Sequence, residues 1–397
     1  MRIGFDATAL TRRTTTGVAR YAEEIIKRSI PLAPDDRFVL SYFAADPDPV
    51  RPIGDAHPNV SLRPIRHLPP RWYRALFVRR VAPPFDLLAR GRADVYVFPD
   101  FIRWPVLSRR SIVVVHDLGF VKHPQFVQPG TRRFLQTFAP RSVAGADGIV
   151  AVSEFTKREL IGTYGLDPGR VAVVPNGVDH GHFYPRDRTE VDAVKTRFGI
   201  DRPYVLMTGT IEPRKNVDGL LKAFASIAAP LRDAHSLVLA GGEGWLDQNI
   251  LRLADELRAS GVRVIQLGYV EPRDLPALYS GASVFVLPSH YEGFGIPVVE
   301  AMACGAPVIT SRNASLPEVA GEAAMLVGTE DPAELPGAID RVLGDPAVRE
   351  DLRRRGLERA RAFSWDASAR AMLDFIRQVR DDPRVRGNAH HRNAVGS

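Results

Sequence analysis

The residues Tyr291-Glu292-Gly293-Phe294-Gly295-Ile296-Pro297, continuing as Val298-Val299-Glu300-Ala301-Met302-Ala303-Cys304-Gly305, decide how this chain is read. They follow an apolar run from Ala282 to Leu287, rich in Val and Phe, which reads as a buried parallel strand ending at Pro288. Gly293 and Gly295 let the backbone approach whatever sits above the strand end. Pro297 fits the first turn of a helix, where its missing N–H costs nothing. Gly305 stops that helix, and Pro307-Val308-Ile309-Thr310 starts another strand. Such a strand, glycine-rich loop and helix leave free amides at the strand's C-terminal edge. That is where open α/β sheets bind ligands, and a helix N-terminus there favours an anion such as phosphate.

Two carboxylates frame this anion site. Glu292 lies in the loop and Glu300 about one turn into the helix. A carboxylate beside phosphate would repel it, so each is expected to accept hydrogen bonds from neutral hydroxyls. A nucleotide sugar offers two sets, on its ribose and on its hexose. The plainer alternative is that Glu292 caps the loop and Glu300 is a solvated helix residue.

A chain of 397 residues is too long for one ordinary core, so two domains of roughly 180 residues are expected. No apolar run approaches the ~18 residues of a membrane span, and Met1-Arg2-Ile3 enters a strand directly, without a signal peptide. The single cysteine, Cys304, excludes an intrachain disulfide and fits a cytoplasmic protein. Within the Glu300 helix it reads as a small buried residue rather than a nucleophile. No His/Cys cluster has metal-ligand spacing, so no metal is expected. Charge is unevenly spread. Residues 1–185 hold 26 Lys and Arg against 17 Asp and Glu, a net +9, which leaves −2 of the total +7 for the remainder. The partner of the first half is therefore expected to be acidic.

Arg2-Ile3-Gly4-Phe5-Asp6 opens the chain as a strand, and a polar loop from Thr11 to Thr16 leads to Gly17 at the head of a helix. The Gly-x-Gly-x-x-Gly of a dinucleotide site is absent there, though Gly17 suits an anion. Between Arg63 and Arg80 stand six arginines and no acid. Arg71, Trp72, Arg74, Leu76, Arg79 and Arg80 lie in a stretch that reads as a basic amphipathic helix. It either rests on an anionic membrane or packs its apolar side on its own domain. Ile112 to Val115 is a buried strand with His116-Asp117 at its tip, a position where catalytic groups collect. Gly148 to Val152 ends likewise in Ser153-Glu154, with Ser153 a helix cap.

The second half restarts the same pattern. Tyr204 to Met207 is a strand, followed by Thr208-Gly209-Thr210 and Ile211-Glu212-Pro213-Arg214-Lys215-Asn216. Leu237 to Ala240 is another, and Val262 to Leu267 a third that ends at Gly268-Tyr269-Val270. Strands alternating with helices in both halves mean two doubly wound parallel sheets. Arg214-Lys215 is expected on the same edge as the Gly293–Gly295 amides, where two cations plus helix amides can hold a diphosphate without a metal. Helices are expected from Asp331 to Leu343, Ala347 to Phe363 and Trp365 to Val379, and a disordered tail over 381–397.

With these residues assembled, the chain resembles a retaining glycosyltransferase of GT-B architecture, in family four (group 1) of the sugar-nucleotide-dependent transferases. The likeness covers nearly the whole chain. Its most specific piece is Glu292 and Glu300 flanking the Gly-Phe-Gly loop, with Arg214-Lys215 upstream; Gly17, His116-Asp117 and Ser153-Glu154 match in place and order. The resemblance implies two Rossmann-like domains facing across a cleft. An acceptor-side domain would span 1–180 and be completed by a helix at 365–380 crossing back, and a nucleotide-sugar domain would span 181–364. It implies that Arg214 and Lys215 bind the diphosphate and stabilise its charge as the glycosidic bond breaks. Glu292 would contact the donor sugar's hydroxyls and Glu300 the ribose. Gly293, Phe294, Gly295 and Ile296 would hold phosphate and sugar by their amides, and Gly209, Tyr269 and Val270 would line the nucleotide pocket. Gly17 would let the diphosphate approach the first domain, although threonines stand where many members have a glycine pair. His116, supported by Asp117, would steady positive charge at the anomeric carbon.

The Gly-Thr-Ile-Glu-Pro-Arg-Lys-Asn run is similar to members that use GDP-mannose in bacterial surface-polysaccharide synthesis, though similar runs occur with UDP-sugars and other donors. The basic first half suits a polyprenyl-diphosphate-linked acceptor at the inner membrane face. An epimerase of the same shape would need paired acid/base groups, for which His116-Asp117 are the candidates, and a phosphorylase would need a pyridoxal phosphate lysine. A catalytically silent binding partner should have lost donor residues, and all of Arg214, Lys215, Glu292 and Glu300 are present. A nucleic-acid binder would carry a recognised module, and none accompanies the basic half.

Overall fold

The computed structural model describes residues 1–11, 16–44, 48–242, 244 and 248–383. Residues 12–15 of the loop before Gly17, Glu243, and residues 384–397 of the expected tail lie outside the described residues. The chain divides into two compact units. One comprises 1–118, 130–175 and 365–397, the other 119–129 and 176–364. Residues 119–129, which sequence order places in the first half, thus cluster with the second unit. Nothing in their own composition signals this.

The first unit is built on a seven-stranded parallel sheet: β1 (Arg2–Asp6), β2 (Arg37–Phe43), β3 (Val60–Ile65), β4 (Val95–Phe98), β5 (Arg110–Val115), β6 (Gly148–Ala151) and β7 (Val171–Val173). Their spatial order is β3-β2-β1-β4-β5-β6-β7. β2, β3 and β4 carry no punctuation as sharp as that around β5. Helices cover the faces, so central strands such as Ile112-Val113-Val114-Val115 are buried on both sides and read as unbroken apolar runs. The helix Trp365–Asp381 belongs to this unit and packs along the helix Gly17–Leu32. The Trp365 ring meets Tyr21 edge-on at 6.0 Å, and Asp366 pairs with Arg28 at 3.1 Å.

The second unit holds six parallel strands: β8 (Tyr204–Thr208), β9 (Ser236–Ala240), β10 (Val264–Gly268), β11 (Val284–Leu287), β12 (Val308–Ser311) and β13 (Met325–Val327). Their order is β10-β9-β8-β11-β12-β13. In each sheet the chain winds outward one way, returns to the centre and winds outward the other way. The reversal falls between β1 and β4 in one and between β8 and β11 in the other. At such a switch point neighbouring loops part at the C-terminal strand ends and leave a crevice. Val284-Phe285-Val286-Leu287 is wholly buried, each side chain contributing about 1.5–3 kcal/mol relative to exposure, so the loop after β11 starts from a fixed point.

Candidate active site

β8 and β11 are hydrogen-bonded neighbours, with Val205 opposite Val284 and Leu206 opposite Phe285. Their C-terminal ends deliver two loops to one place. After β8, a short 3-10 turn at Pro213–Lys215 presents Arg214 and Lys215. After β11 come Ser289 to Gly295, then the helix Ile296–Ala303 with Pro297 in its first turn. Gly295 starts that helix at φ 99°, and a Cβ there would lie 2.6 Å from Leu316, so the tight turn requires glycine.

The two loops are joined by charge. The Arg214 guanidinium reaches Glu292 at 2.6 Å and Glu212 at 2.6 Å, and also donates to the Tyr291 carbonyl at 2.8 Å. In return the His290 N–H donates to the Arg214 carbonyl at 2.9 Å. The Lys215 ammonium stands 3.4 Å from Glu292, whose carboxylate also accepts from Ser289 at 3.0 Å. Glu292 is 8% exposed and Glu212 2%. Burial pushes the Glu292 carboxyl up, and the charges of Arg214 and Lys215 together with hydrogen bonds from Arg214 and Ser289 more than reverse this, drawing it down to about 2. Gly209 makes room for the lysine. At φ 106° it would carry a Cβ 2.9 Å from the Lys215 Nζ.

Glu300 is buried on the third side of this edge, at 4% exposure, and accepts from the Tyr279 hydroxyl at 3.1 Å. That hydroxyl also bonds Thr208 at the end of β8, 2.7 Å away. Glu300 is therefore no solvated helix residue, and the plainer reading of it fails on burial. Phe294 is buried and meets Phe363 edge-on at 5.5 Å. At the tip after β10, Tyr269 is 61% exposed while Val270 is buried. Cys304 is buried at the end of the Glu300 helix, and burial raises its thiol well above the usual range.

Two parts of this site escaped sequence reasoning. Glu212 stands in the quoted Ile211–Asn216 run, but a glutamate two residues before an arginine in a non-helical turn carries no local signal. The second part is the 119–129 segment. His123 packs its ring on Tyr291 at 4.9 Å, and Phe126 stacks on His290 at 5.4 Å, bracing the loop that holds Glu292.

The remaining predicted residues belong to the first unit. His116, at the tip of β5, is buried and hydrogen-bonds through Nε2 to the Pro99 carbonyl at the end of β4, 2.8 Å away. A carbonyl accepts, so Nε2 carries the proton, and burial lowers the ring's pKa below its ordinary value. The imidazole is thus neutral with its lone pair on Nδ1. Tyr21 meets the ring edge-on at 5.2 Å. Asp117, next along, is half-buried. Gly17 opens its helix behind Thr16, whose hydroxyl caps the Ala19 N–H at 3.2 Å. The basic stretch forms the helix Pro70–Val78. Its inner side is anchored by Tyr73 and Phe77 on Trp104, while Trp72 faces outward. Arg74 lies 3.7 Å over the Phe134 ring of its own unit. Among the described residues no helix is long and apolar enough to cross a membrane.

Known proteins resemble this chain in sequence and in fold. The family described as glycosyl transferases group 1 matches residues 189–359, and glycosyltransferase family 4 matches residues 15–182. An O-antigen chain mannosyltransferase B from Escherichia coli is 31% identical over 375 residues, covering 92% of this chain and 97% of its own length. A D-inositol 3-phosphate glycosyltransferase from a Nocardioides species is 34% identical over 260 residues, covering 61% of this chain and 56% of its own. A sucrose-phosphate synthase from Thermosynechococcus elongatus superposes with a TM-score of 0.74 at 24% identity, over 95% of this chain and 98% of that one, a likeness of fold. With both family regions matched in order and a relative aligned nearly end to end, the chain belongs to the family 4 (group 1) glycosyltransferases of GT-B fold, and resembles the bacterial mannosyltransferases among them.

Proposed function

We propose that the chain transfers a hexose, mannose from GDP-mannose in first place, with retention at the anomeric carbon. The acceptor is a glycan or a polyprenyl-diphosphate-linked intermediate of bacterial surface-polysaccharide synthesis, and the enzyme works peripherally at the cytoplasmic membrane face. One observation carries the reading: Arg214 and Lys215 are fixed by buried carboxylates at the β8/β11 switch point, beside the amides that open the helix Ile296–Ala303. The name of the 31% identical O-antigen mannosyltransferase supports mannose.

In this reading the diphosphate lies on Arg214, Lys215 and the amides of residues 293–296. As the bond from the anomeric carbon to the phosphate oxygen breaks, negative charge grows on the leaving group. Cations already held in place stabilise it without reorganising, and no metal is required. Glu292 keeps lone pairs for the sugar hydroxyls, Glu300 takes the ribose, Gly209 gives Lys215 its room, and Tyr269 and Val270 flank the base. For the first unit the reading assigns His116, supported by Asp117, to the acceptor side, and Gly17 to a phosphate contact. A double displacement would need a carboxylate nucleophile. Glu292, drawn down to about 2 and gripped by two cations, is a poor one. That favours substitution on the donor's front face, where the acceptor hydroxyl attacks and passes its proton to the departing phosphate oxygen.

The test is a calorimetric titration with GDP, UDP and ADP, without and with magnesium. Tight, metal-independent binding of GDP supports the proposal. Binding of UDP alone would replace the mannose assignment by a UDP-sugar. Binding of none would overturn the donor site and favour a silent partner. The relative named for D-inositol 3-phosphate supports a second acceptor reading, a small phosphorylated polyol, which transfer assays with soluble and lipid-linked acceptors separate.

A further inference from the structure

Glu292 and Glu300 are buried at one sheet edge, and a different chemistry holds each. Glu292 is gripped by the Arg214 and Lys215 cations, while Glu300 accepts from a tyrosine. Tyr279 lies on the short helix Leu275–Ser280 and is 1% exposed. Its hydroxyl stands 3.1 Å from Glu300 Oε2 and 2.7 Å from Thr208 Oγ1. The direction of both bonds follows from counting protons. A phenol has one proton to give, and a carboxylate only accepts. Burial first, and then the Glu300 charge, push the Tyr279 hydroxyl well above its ordinary value, so the proton stays on it. That proton goes to Glu300, and the Thr208 hydroxyl donates to Tyr279. The result is an ordered chain, Thr208 to Tyr279 to Glu300, running from the end of β8 to the helix after β11.

The ring that carries this hydroxyl is fixed from several directions. Phe285 of β11 meets it edge-on at 5.4 Å, and Phe183 lies 6.2 Å from it. The Tyr204 hydroxyl of β8 donates to the Leu278 carbonyl at 2.6 Å, pinning the backbone just before the tyrosine. These contacts would hold a phenylalanine equally well, and a phenylalanine would bring no polar group to bury. What the hydroxyl adds is its grip on Glu300. A neutral donor restrains the rotation of a carboxylate without cancelling its charge, and a charged acceptor makes the stronger hydrogen bonds to a ligand. Place in the chain adds a second point. Thr208 precedes Gly209, whose missing side chain leaves the Lys215 ammonium its position. Adjacent residues at one strand end thus set the Glu300 carboxylate and the Lys215 cation, the groups that the reading above gives to ribose and diphosphate.

We infer that Tyr279 is a positioning residue: with Thr208 it aims the Glu300 carboxylate at the paired hydroxyls of a ribose, and so makes the donor site select ribonucleotides over 2′-deoxyribonucleotides. A carboxylate offers about four acceptor positions, of which Tyr279 uses one. It can serve two neighbouring hydroxyls together only while its plane is held against rotation, and the Tyr279 bond supplies that hold. A nucleotide lacking the 2′-hydroxyl leaves a buried acceptor without its donor, and a site built to bond a hydroxyl discriminates by that loss. The inference rests on the assignment of Glu300 to the ribose, and the experiment separates the two.

The test is calorimetric titration of the full chain with GDP, UDP and ADP, each beside its 2′-deoxy form. The native protein should favour the ribo form of the nucleotide it binds by about 10- to 100-fold, the worth of a hydrogen bond to a charged group. Tyr279→Phe should reduce that preference to about threefold or less, chiefly by weakening the ribo form. A purely structural role would weaken both forms alike and leave their ratio intact. Thr208→Val should lower the ratio about threefold, and Thr208→Ser, which keeps the donor, should retain it. This second pair decides the matter on its own if Tyr279→Phe does not fold. No ribo preference in the native protein, or a preference that survives in Tyr279→Phe or in Thr208→Val, would overturn the inference. Glu300→Gln tells the two claims apart. A ratio lost there but kept in the Tyr279 and Thr208 variants leaves the ribose assignment standing and removes the role of Tyr279. A ratio kept in Glu300→Gln removes the ribose assignment as well.

Discussion

Glu292→Gln probes whether charge holds the two site loops together. In the native protein the carboxyl lies near 2 against an ordinary 4.5. That difference of about 2.5 corresponds to about 3 kcal/mol of folding free energy. Because the folded value lies below the unfolded one, the contribution is fully present above pH about 4.5 and is lost as pH falls toward about 2. Glutamine keeps the size of the side chain and a hydrogen bond from Ser289, and Arg214 keeps Glu212 at 2.6 Å. What disappears is the charge facing Arg214 at 2.6 Å and Lys215 at 3.4 Å. Urea unfolding at neutral pH should therefore show a loss of about 2–3 kcal/mol. Near pH 3 the same comparison should show less than half of it, about 1 kcal/mol, since the native carboxylate has begun to lose its advantage. Arg214→Gln in the same background closes a cycle whose coupling should reach about 1–3 kcal/mol. Equal unfolding midpoints at neutral pH, or a loss that does not shrink on acidification, would refute the reasoning.

Lys215→Ala should cut turnover about 100- to 1000-fold with little change in melting temperature, and near-normal turnover would remove its leaving-group role. Glu300→Ala should chiefly weaken nucleotide affinity in calorimetry; an unchanged dissociation constant rejects the ribose assignment. Gly209→Ala puts a methyl group 2.9 Å from the Lys215 Nζ at φ 106°, so it should cost about 1–2 kcal/mol of stability and lower turnover together. Full turnover there would show that the lysine does not need its present position.

Much of the site was legible because its residues follow one another along short loops. Gly293, Gly295 and Pro297 announce a strand, a tight loop and a helix start by backbone chemistry alone, and Arg214-Lys215 stands on the loop of the adjacent strand. The strands β2, β3 and β4 were harder, since Val60–Ile65 contains Arg63 and Pro64 and is only half-buried at the sheet's edge. The bracing of the Glu292 loop by His123 and Phe126 was not legible at all. Both aromatic residues lie more than 160 positions before their partners, and neither sits in a pattern that names one.

Charge misled in an instructive way. The excess of basic residues lies in the first 185, yet the two paired cations at the β8/β11 edge stand in the second half, where the count is −2. The reason is local neutrality: Lys215 is buried and Arg214 half-buried, and charges withdrawn from water must be paired, so Glu212 and Glu292 cancel them in any sum. Cations paired in this way are invisible to net charge. The arginines of 66–109 are the reverse case. All but Arg103 are exposed and need no carboxylate beside them, so they accumulate in the count, and the buried acid among them, Asp86, is spent on fixing the 105–109 loop. Exposed cations therefore register in the net charge, whereas cations withdrawn from water are hidden in it by partners that must be found in three dimensions.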